Sequence, residues 1–197
     1  MSKAQITREH IIQQAAVVFN QQGYAGTSMS DIMQATGLKK GGIYNHFKSK
    51  DELAMAAFDF SVDLVQSHYT EALRGQRHAI LRLRAMVETF CTLMAHTPAL
   101  KGGCPILNTA IESDDTHPVL RLKARQAMDD WRRTLCKIIT LGIDHQQVAA
   151  SSDPSAVATV IISMLEGGLM MTQLYGEPDH LHHAQQHLFD YIETLKI

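Results

Sequence analysis

Thr27–Phe47, TSMSDIMQATGLKKGGIYNHF, decides the fold of this chain. Ser28 has the hydroxyl of an N-cap, and Asp31 stands three positions on, where a capping-box side chain returns to the cap backbone. Ile32 and Ala35 then fall on one buried side. Thr36-Gly37-Leu38 breaks this first short helix. A second begins at about Lys39, opens with two adjacent cations, and carries Ile43, Tyr44 and Phe47 at spacings that separate a packed side from an exposed one. At ~1.5 Å per residue it is about 10 Å long, comparable with the roughly 12 Å width of the major groove. Two short helices joined by a tight turn, the second sized for a groove, predict a helix-turn-helix that seats in double-stranded DNA. Gly41 and Gly42 each cost roughly 1 kcal/mol relative to Ala inside a helix. Their use therefore lies elsewhere: a bare helix face lets the backbone approach base edges or phosphates, with Lys39 and Lys40 flanking it. The alternative is a Gly-rich surface turn between two packing helices.

Working outward, 197 residues suffice for one or two domains with a substantial core. The formal charge of −2 conceals an asymmetry. Residues 1–50 hold Lys3, Arg8, Lys39, Lys40, Lys48 and Lys50 against Glu9 and Asp31, so a cationic head joins an anionic remainder, as suits a phosphate-binding part beside a separate sensing part. The N-terminus enters a polar amphipathic helix with no signal-peptide core, and the most apolar run, Ala156–Leu165, stops at Glu166, short of the roughly 20 residues that cross a bilayer. A cytoplasmic protein without a membrane partner is expected. Cys91, Cys104 and Cys136 are an odd number without close pairing and read as reduced thiols; no CxxC or other zinc spacing occurs, and no metal or cofactor is expected.

The remaining pattern is helical throughout. Thr7 is a candidate cap for a helix to about Gln22, with Ile11, Ile12, Ala15, Ala16 and Phe19 as its stripe; Gly23 ends it and Tyr24 folds back onto a core of Ile32, Leu38, Ile43 and Phe47. Ser49 and Glu52 form a capping box for a helix to about Tyr69. Further helices are expected at about His78–His96, within Lys101–Asp115 with Pro105 in the first turn, at Pro118–Ile143, from Asp153-Pro154 to about Tyr175, and at about His180–Leu195. Between Ala156 and Met171 the only charge is Glu166, so both sides of that helix need cover. Gly167 and Gly168 would permit close approach of a partner, and Leu181, Ala184, Leu188, Tyr191, Ile192 and Leu195 of the last helix would complete a four-helix interface between two copies.

From Ile11 to Leu53 the chain resembles the N-terminal domain of the TetR family of transcriptional regulators. The resemblance rests on Ile11, Ala15, Phe19, Gly23-Tyr24, Thr27-Ser28, Ile32, Gly37, Lys40-Gly41, Tyr44, His46-Phe47, Ser49-Lys50 and Leu53, in order and without gaps. It implies an all-α, dimeric repressor: a three-helix DNA-binding domain over residues 1–48 and a ligand-binding and dimerisation domain over residues 49–197. Combined with the charge placement, it implies that Lys39 and Lys40 contact bases or phosphates, that Tyr44, His46 and Lys50 hold phosphates, that Ser28 and Ser30 add hydroxyl contacts, and that Asn45 reaches either. Position 42, where the family usually has a small hydroxyl residue or Ala, is Gly here, so no side chain is offered to DNA from Gly42. The partners implied are an imperfectly palindromic operator and a small-molecule effector that releases it.

Effector candidates lie in the body: Tyr69 and Trp131 among its aromatic and methionine residues, and Cys104, Asn108, Thr109 and Glu112 around the Pro105 helix, with Asn108 and Glu112 four apart on one face. Cys104 precedes a proline-started helix whose N-terminal field would favour a thiolate, so an alternative regulator switches through oxidation or electrophile capture there; a more remote one is an enzyme with Cys104 as nucleophile. His183 and His187 have the spacing of two ligands on one helix face, against the reading of a solvated face.

Overall fold

The computed structural model describes residues 2–113 and 117–197, and among them every regular element is a helix, as expected. In chain order these are α1 (Lys3–Gly26), α2 (Met29–Thr36), α3 (Lys40–Tyr44), α4 (Lys50–Ala72), α5 (Ala79–His96), a 3₁₀ turn (Pro98–Leu100), α6 (Pro105–Glu112), α7 (Pro118–Asp144), α8 (Pro154–Tyr175) and α9 (Asp179–Thr194). Asp114 and Asp115, at the end of the expected Lys101–Asp115 segment, lie outside the described residues. The chain divides into two compact units, Met1–Leu64 with Thr97–Ala124, and Val65–His96 with Arg125–Ile197, so α4 and α7 contribute to both.

In the first unit α1 starts a turn earlier than the sequence suggests. Ser2, not Thr7, is the cap: its hydroxyl accepts from the Gln5 N–H at 3.2 Å and its own N–H donates to Gln5 Oε1 at 2.9 Å, while the Thr7 hydroxyl donates to the Lys3 carbonyl. Gly23, at φ +75°, breaks the helix and the chain makes one further turn to Gly26. The Ser28–Asp31 capping box forms in both directions, and Gly37 ends α2 in the left-handed conformation at φ +69°. At α4 the Ser49 hydroxyl accepts from the Glu52 N–H, but the Glu52 carboxylate returns to the Lys48 N–H at 2.7 Å and not to Ser49. Ile11, Ala15, Ile32, Ile43, Phe47 and Leu53 are essentially fully buried together. At about 1.5–3 kcal/mol for each such aliphatic or aromatic side chain, this cluster fixes α3 against α1 and α4. Tyr24 is not part of it: the kink at Gly23 turns its ring toward Phe19 and His117.

In the second unit Trp131 of α7 stacks on Phe90 of α5 at 5.4 Å between ring centroids and on Tyr69 at 6.3 Å. Leu181, Leu188, Ile192 and Leu195, expected to face a partner subunit, are buried inside the subunit. The reason is Gly168, where a Cβ would stand 2.8 Å from the Ala184 Cβ and 3.3 Å from the His180 carbonyl: the glycine lets α8 and α9 of one chain close on each other. Gly167 meets nothing within 4 Å. What α8 leaves exposed is Val160, Met170, Met171, Leu174 and Tyr175. The helix continues past Glu166, which is buried, and with 22 residues it has the length and composition of a bilayer span, correcting the expectation that its apolar run is too short.

Candidate nucleic-acid interface and effector cavity

The capping box and the Gly37 turn hold α2 and α3, and burial of Ile43 and Phe47 turns the opposite side of α3 outward. Lys39, Lys40, Gly41, Tyr44 and Asn45 are exposed, as are Ser28 and Ser30 on α2, while His46 and Lys50 are half-buried. The helix proper is five residues long, shorter than expected, with a turn at Asn45 completing it. Lys39 and Lys40 have no ion-pair partner among the described residues; the Lys40 ammonium lies 5.7 Å from the Tyr44 ring centre. A Cβ at Gly41 would meet nothing within 4 Å, so that face is open, whereas Gly42 lies against Leu38 at 3.5 Å. The Ser28 hydroxyl is committed to the Asp31 carboxylate at 2.6 Å, and that bond, with the Ser28 N–H, holds the Asp31 pKa below its usual value. Charged donors without partners beside an exposed aromatic are what phosphate recognition requires.

The same unit encloses a cavity between α1, α4, α6 and the start of α7, about 530 Å³ including its open mouth. Asn108, Thr109 and Glu112 line it along with Phe19, Asn20, Tyr24, Phe58 and His117. Tyr69 and Trp131 do not: they belong to the aromatic stack of the second unit. Cys104 occupies the N-cap position of α6 without a side-chain capping bond and is buried, 3% exposed. Asn108 and Glu112 act as ties between α6 and α1. The Asn108 amide donates to the Asn20 side-chain oxygen at 3.1 Å and to the Gly102 carbonyl at 2.9 Å; Glu112 accepts from the Tyr24 and Ala25 N–H groups at 2.6 and 2.7 Å. A Cβ at Gly23 would lie 2.6 Å from Glu112 Oε1, so glycine is needed there for space as well as for its positive φ.

Sequence reasoning missed Asn20, Asp51 and His117 and misplaced Tyr24. The Tyr24 hydroxyl donates to the Asp51 carboxylate, and burial, reinforced by that carboxylate, pushes the phenol up to about 12. The Lys50 ammonium sits 4.3 Å above the same ring. His117 was legible in principle, since a histidine directly before a proline-started helix occupies its cap; its Nδ1 accepts from the Leu120 N–H at 3.2 Å. Elsewhere, burial pushes the Cys91 thiol up to about 12, and His182, His183 and His187 are exposed. Among the described residues no three His, Cys, Asp or Glu side chains come together in a metal-binding group.

A helix-turn-helix with outward cations, on a body that is helical throughout its described residues, defines a DNA-binding regulator. Residues 11–57 match the family model for bacterial regulatory proteins of the tetR family, and residues 79–188 match the tetracyclin repressor-like C-terminal domain. The chain belongs to the TetR family, and so is a ligand-responsive transcriptional regulator of the repressor type. It is similar to a TetR transcriptional regulator from Chloroflexus aurantiacus J-10-FL, 44% identical, covering 100% of this chain and 98% of that one with a TM-score of 0.93. A TetR-family regulator from Cytophaga hutchinsonii is 33% identical over 100% and 98% of the two chains, TM-score 0.87. The HTH-type transcriptional repressor DhaR of Mycobacterium sp. (strain GP1) is 23% identical over 85% of this chain and 82% of its own length.

Proposed function

We propose that this regulator binds an imperfect palindrome as a homodimer, one helix-turn-helix head from residues 1–48 of each copy in successive major grooves, and leaves it when a small molecule enters the body formed by residues 49–197. The observation that carries the reading is the outward side of α3, where Lys39 and Lys40, without an ion-pair partner among the described residues, stand beside exposed Tyr44 and open Gly41. Lys39 and Lys40 reach bases or phosphates, Tyr44, His46 and Lys50 hold phosphates, and Ser28, Ser30 and Asn45 add polar contacts. Gly42, whose Cβ position faces Leu38, offers no side chain to DNA, and the open backbone beside it is that of Gly41. The exposed Met170, Leu174 and Tyr175 of α8 supply the subunit contact, backed by the outer side of α9. Acting on chromosomal DNA, the protein works in the cytoplasm. Its role is regulatory and not catalytic: the one thiol placed for chemistry, Cys104, is enclosed.

A gel shift with an imperfect palindrome from beside its own gene tests this. The pure protein is expected to retard it at low salt and to lose affinity steeply between 50 and 200 mM salt, by about 10³-fold or more if six or more phosphates are contacted. No retardation at low salt contradicts the reading.

A further inference from the structure

We propose that the cavity between α1, α4, α6 and the start of α7 is the effector site, that it takes a small uncharged single-ring molecule bearing a hydrogen-bonding oxygen, and that Tyr24 passes its occupancy to Lys50. This rests on the reading of the chain as an effector-released operator binder. The walls set the chemistry. Phe19, Tyr24, Phe58 and His117 offer ring faces and edges, and Ala16, Ala54 and Ala57 leave the room between them. The cavity, about 530 Å³ with its open mouth, is closed in by these rings to a space that suits a single ring and no more.

Charge then narrows the class. Among the described residues the lining contains no Lys or Arg, and the one carboxylate it shows there, Glu112, already receives the Tyr24 and Ala25 N–H groups. An anion would meet the Glu112 carboxylate with no Lys or Arg in the described lining to receive it, and a cation would have to shed water to compete with two backbone donors. Neutral polar atoms remain on offer: Thr109 Oγ1 and His117 Nε2 make no hydrogen bond among the described residues. Because His117 Nδ1 accepts from Leu120, the proton of the neutral imidazole resides on Nε2, which is a donor toward a hydroxyl or carbonyl oxygen.

Tyr24 is the wall that touches the DNA-binding side. Its ring lies 4.8 Å from the His117 ring and 4.3 Å from the Lys50 ammonium, its hydroxyl is bonded to Asp51, and its N–H to Glu112. A ring entering beside Phe19 and His117 displaces the side chain on which Lys50 rests, at the first residue of α4, so occupied and operator-competent arrangements differ. That differential is what lets a ligand shift the equilibrium at all.

The test uses three one-ring probes that differ in charge, namely benzyl alcohol, benzoate and benzylammonium, measured by calorimetry on the full chain and by operator titration. Benzyl alcohol is expected to bind and to weaken operator affinity about tenfold, within the usual range of coupling; the charged probes are expected to bind at least about tenfold more weakly. Thr109→Phe, which puts a ring into the cavity, is expected to abolish probe binding and, by displacing Tyr24 as an effector would, to weaken operator binding by itself about tenfold. Lys50→Ala is expected to keep probe binding while the operator response falls below about twofold. Because Thr109→Phe could fail to fold, resonances of Thr109 and His117 are followed in the unmodified chain and are expected to shift with benzyl alcohol. Tighter binding of a charged probe, no binding of any, undisturbed Thr109 and His117 resonances, or an intact response in Lys50→Ala overturns the proposal. If the ligand-free chain retards no operator, the regulatory reading itself has failed; if it does and the probes fail, only the assignment of this site has.

Discussion

The outward sides of α3 and α8 are both left uncovered, and they call for different partners. Around α3 the surface is cationic and backbone-bare, with Lys39, Lys40 and open Gly41. Along α8 it is apolar, with Leu174 72% and Met170 55% exposed. Attraction to phosphate acts at a distance and is screened by salt; burial of apolar area, at about 25 cal/mol per Å², acts only on contact and is not screened. The difference teaches that one chain can separate what it binds from what it pairs with by the physics of two surfaces, and that salt should distinguish them.

The largest expected effect is on the charged side. Reversing both cations, Lys39→Glu with Lys40→Glu, is expected to lower operator affinity by about 10³-fold or more at low salt and to flatten its salt dependence, while the dimer measured by sedimentation is unchanged. An unchanged salt slope would separate α3 from the phosphate backbone. Next is the apolar side: Leu174→Glu is expected to give monomers in sedimentation at any salt and, by removing the second head, to cost about 10²-fold in operator affinity. A dimer that persists would place the interface elsewhere.

A smaller change sharpens the comparison by setting stability against recognition. Gly41→Ala adds a Cβ into open space, so it is expected to raise the melting temperature by about 1–4 °C, consistent with at most ~1 kcal/mol of helix propensity, while weakening operator binding because the bare backbone is covered. Improvement of both would mean that α3 does not approach DNA through its glycines. Smallest is the pH dependence of the head. The folded pKa of Asp31 is depressed by Ser28, so its contribution is present above the ordinary carboxylate pKa near 3.9 and is lost as pH falls through the lower folded value. Thermal melts from pH 6 downward are expected to show a shallower acid decline in Asp31→Asn than in the parent chain.

What was legible in the sequence was local. Ser28 and Asp31, Pro105 at the start of α6, and Asp153-Pro154 at the start of α8 each act within three or four residues, and each does what its chemistry indicates. Contacts between distant segments were not legible. Glu112 reaches the Tyr24 N–H across 88 residues and Tyr24 reaches Asp51 across 27, and nothing in the periodicity of α1 or α6 reports either meeting. The stripe on α9 shows the intermediate case: the spacing of Leu181, Leu188, Ile192 and Leu195 reveals a face that must be buried but not what buries it, and Gly168 settles the matter in favour of the same chain. For the candidate site, exposure of Lys39, Lys40 and Tyr44 followed from burial of Ile43 and Phe47, whereas the parking of Lys50 on Tyr24 could only come from the kink at Gly23.

Two heads held at a fixed separation, each presenting α3 to its own major groove, is the central claim, and helical phasing tests it most directly. Affinity is measured by fluorescence anisotropy for the operator and for the same operator with half a helical turn, about five base pairs, inserted between its half-sites. A fall of about 10²-fold on insertion, with recovery when a full turn is inserted and the heads can still span it, is the expected result. Equal affinity for the parent and half-turn operators would contradict paired reading by α3.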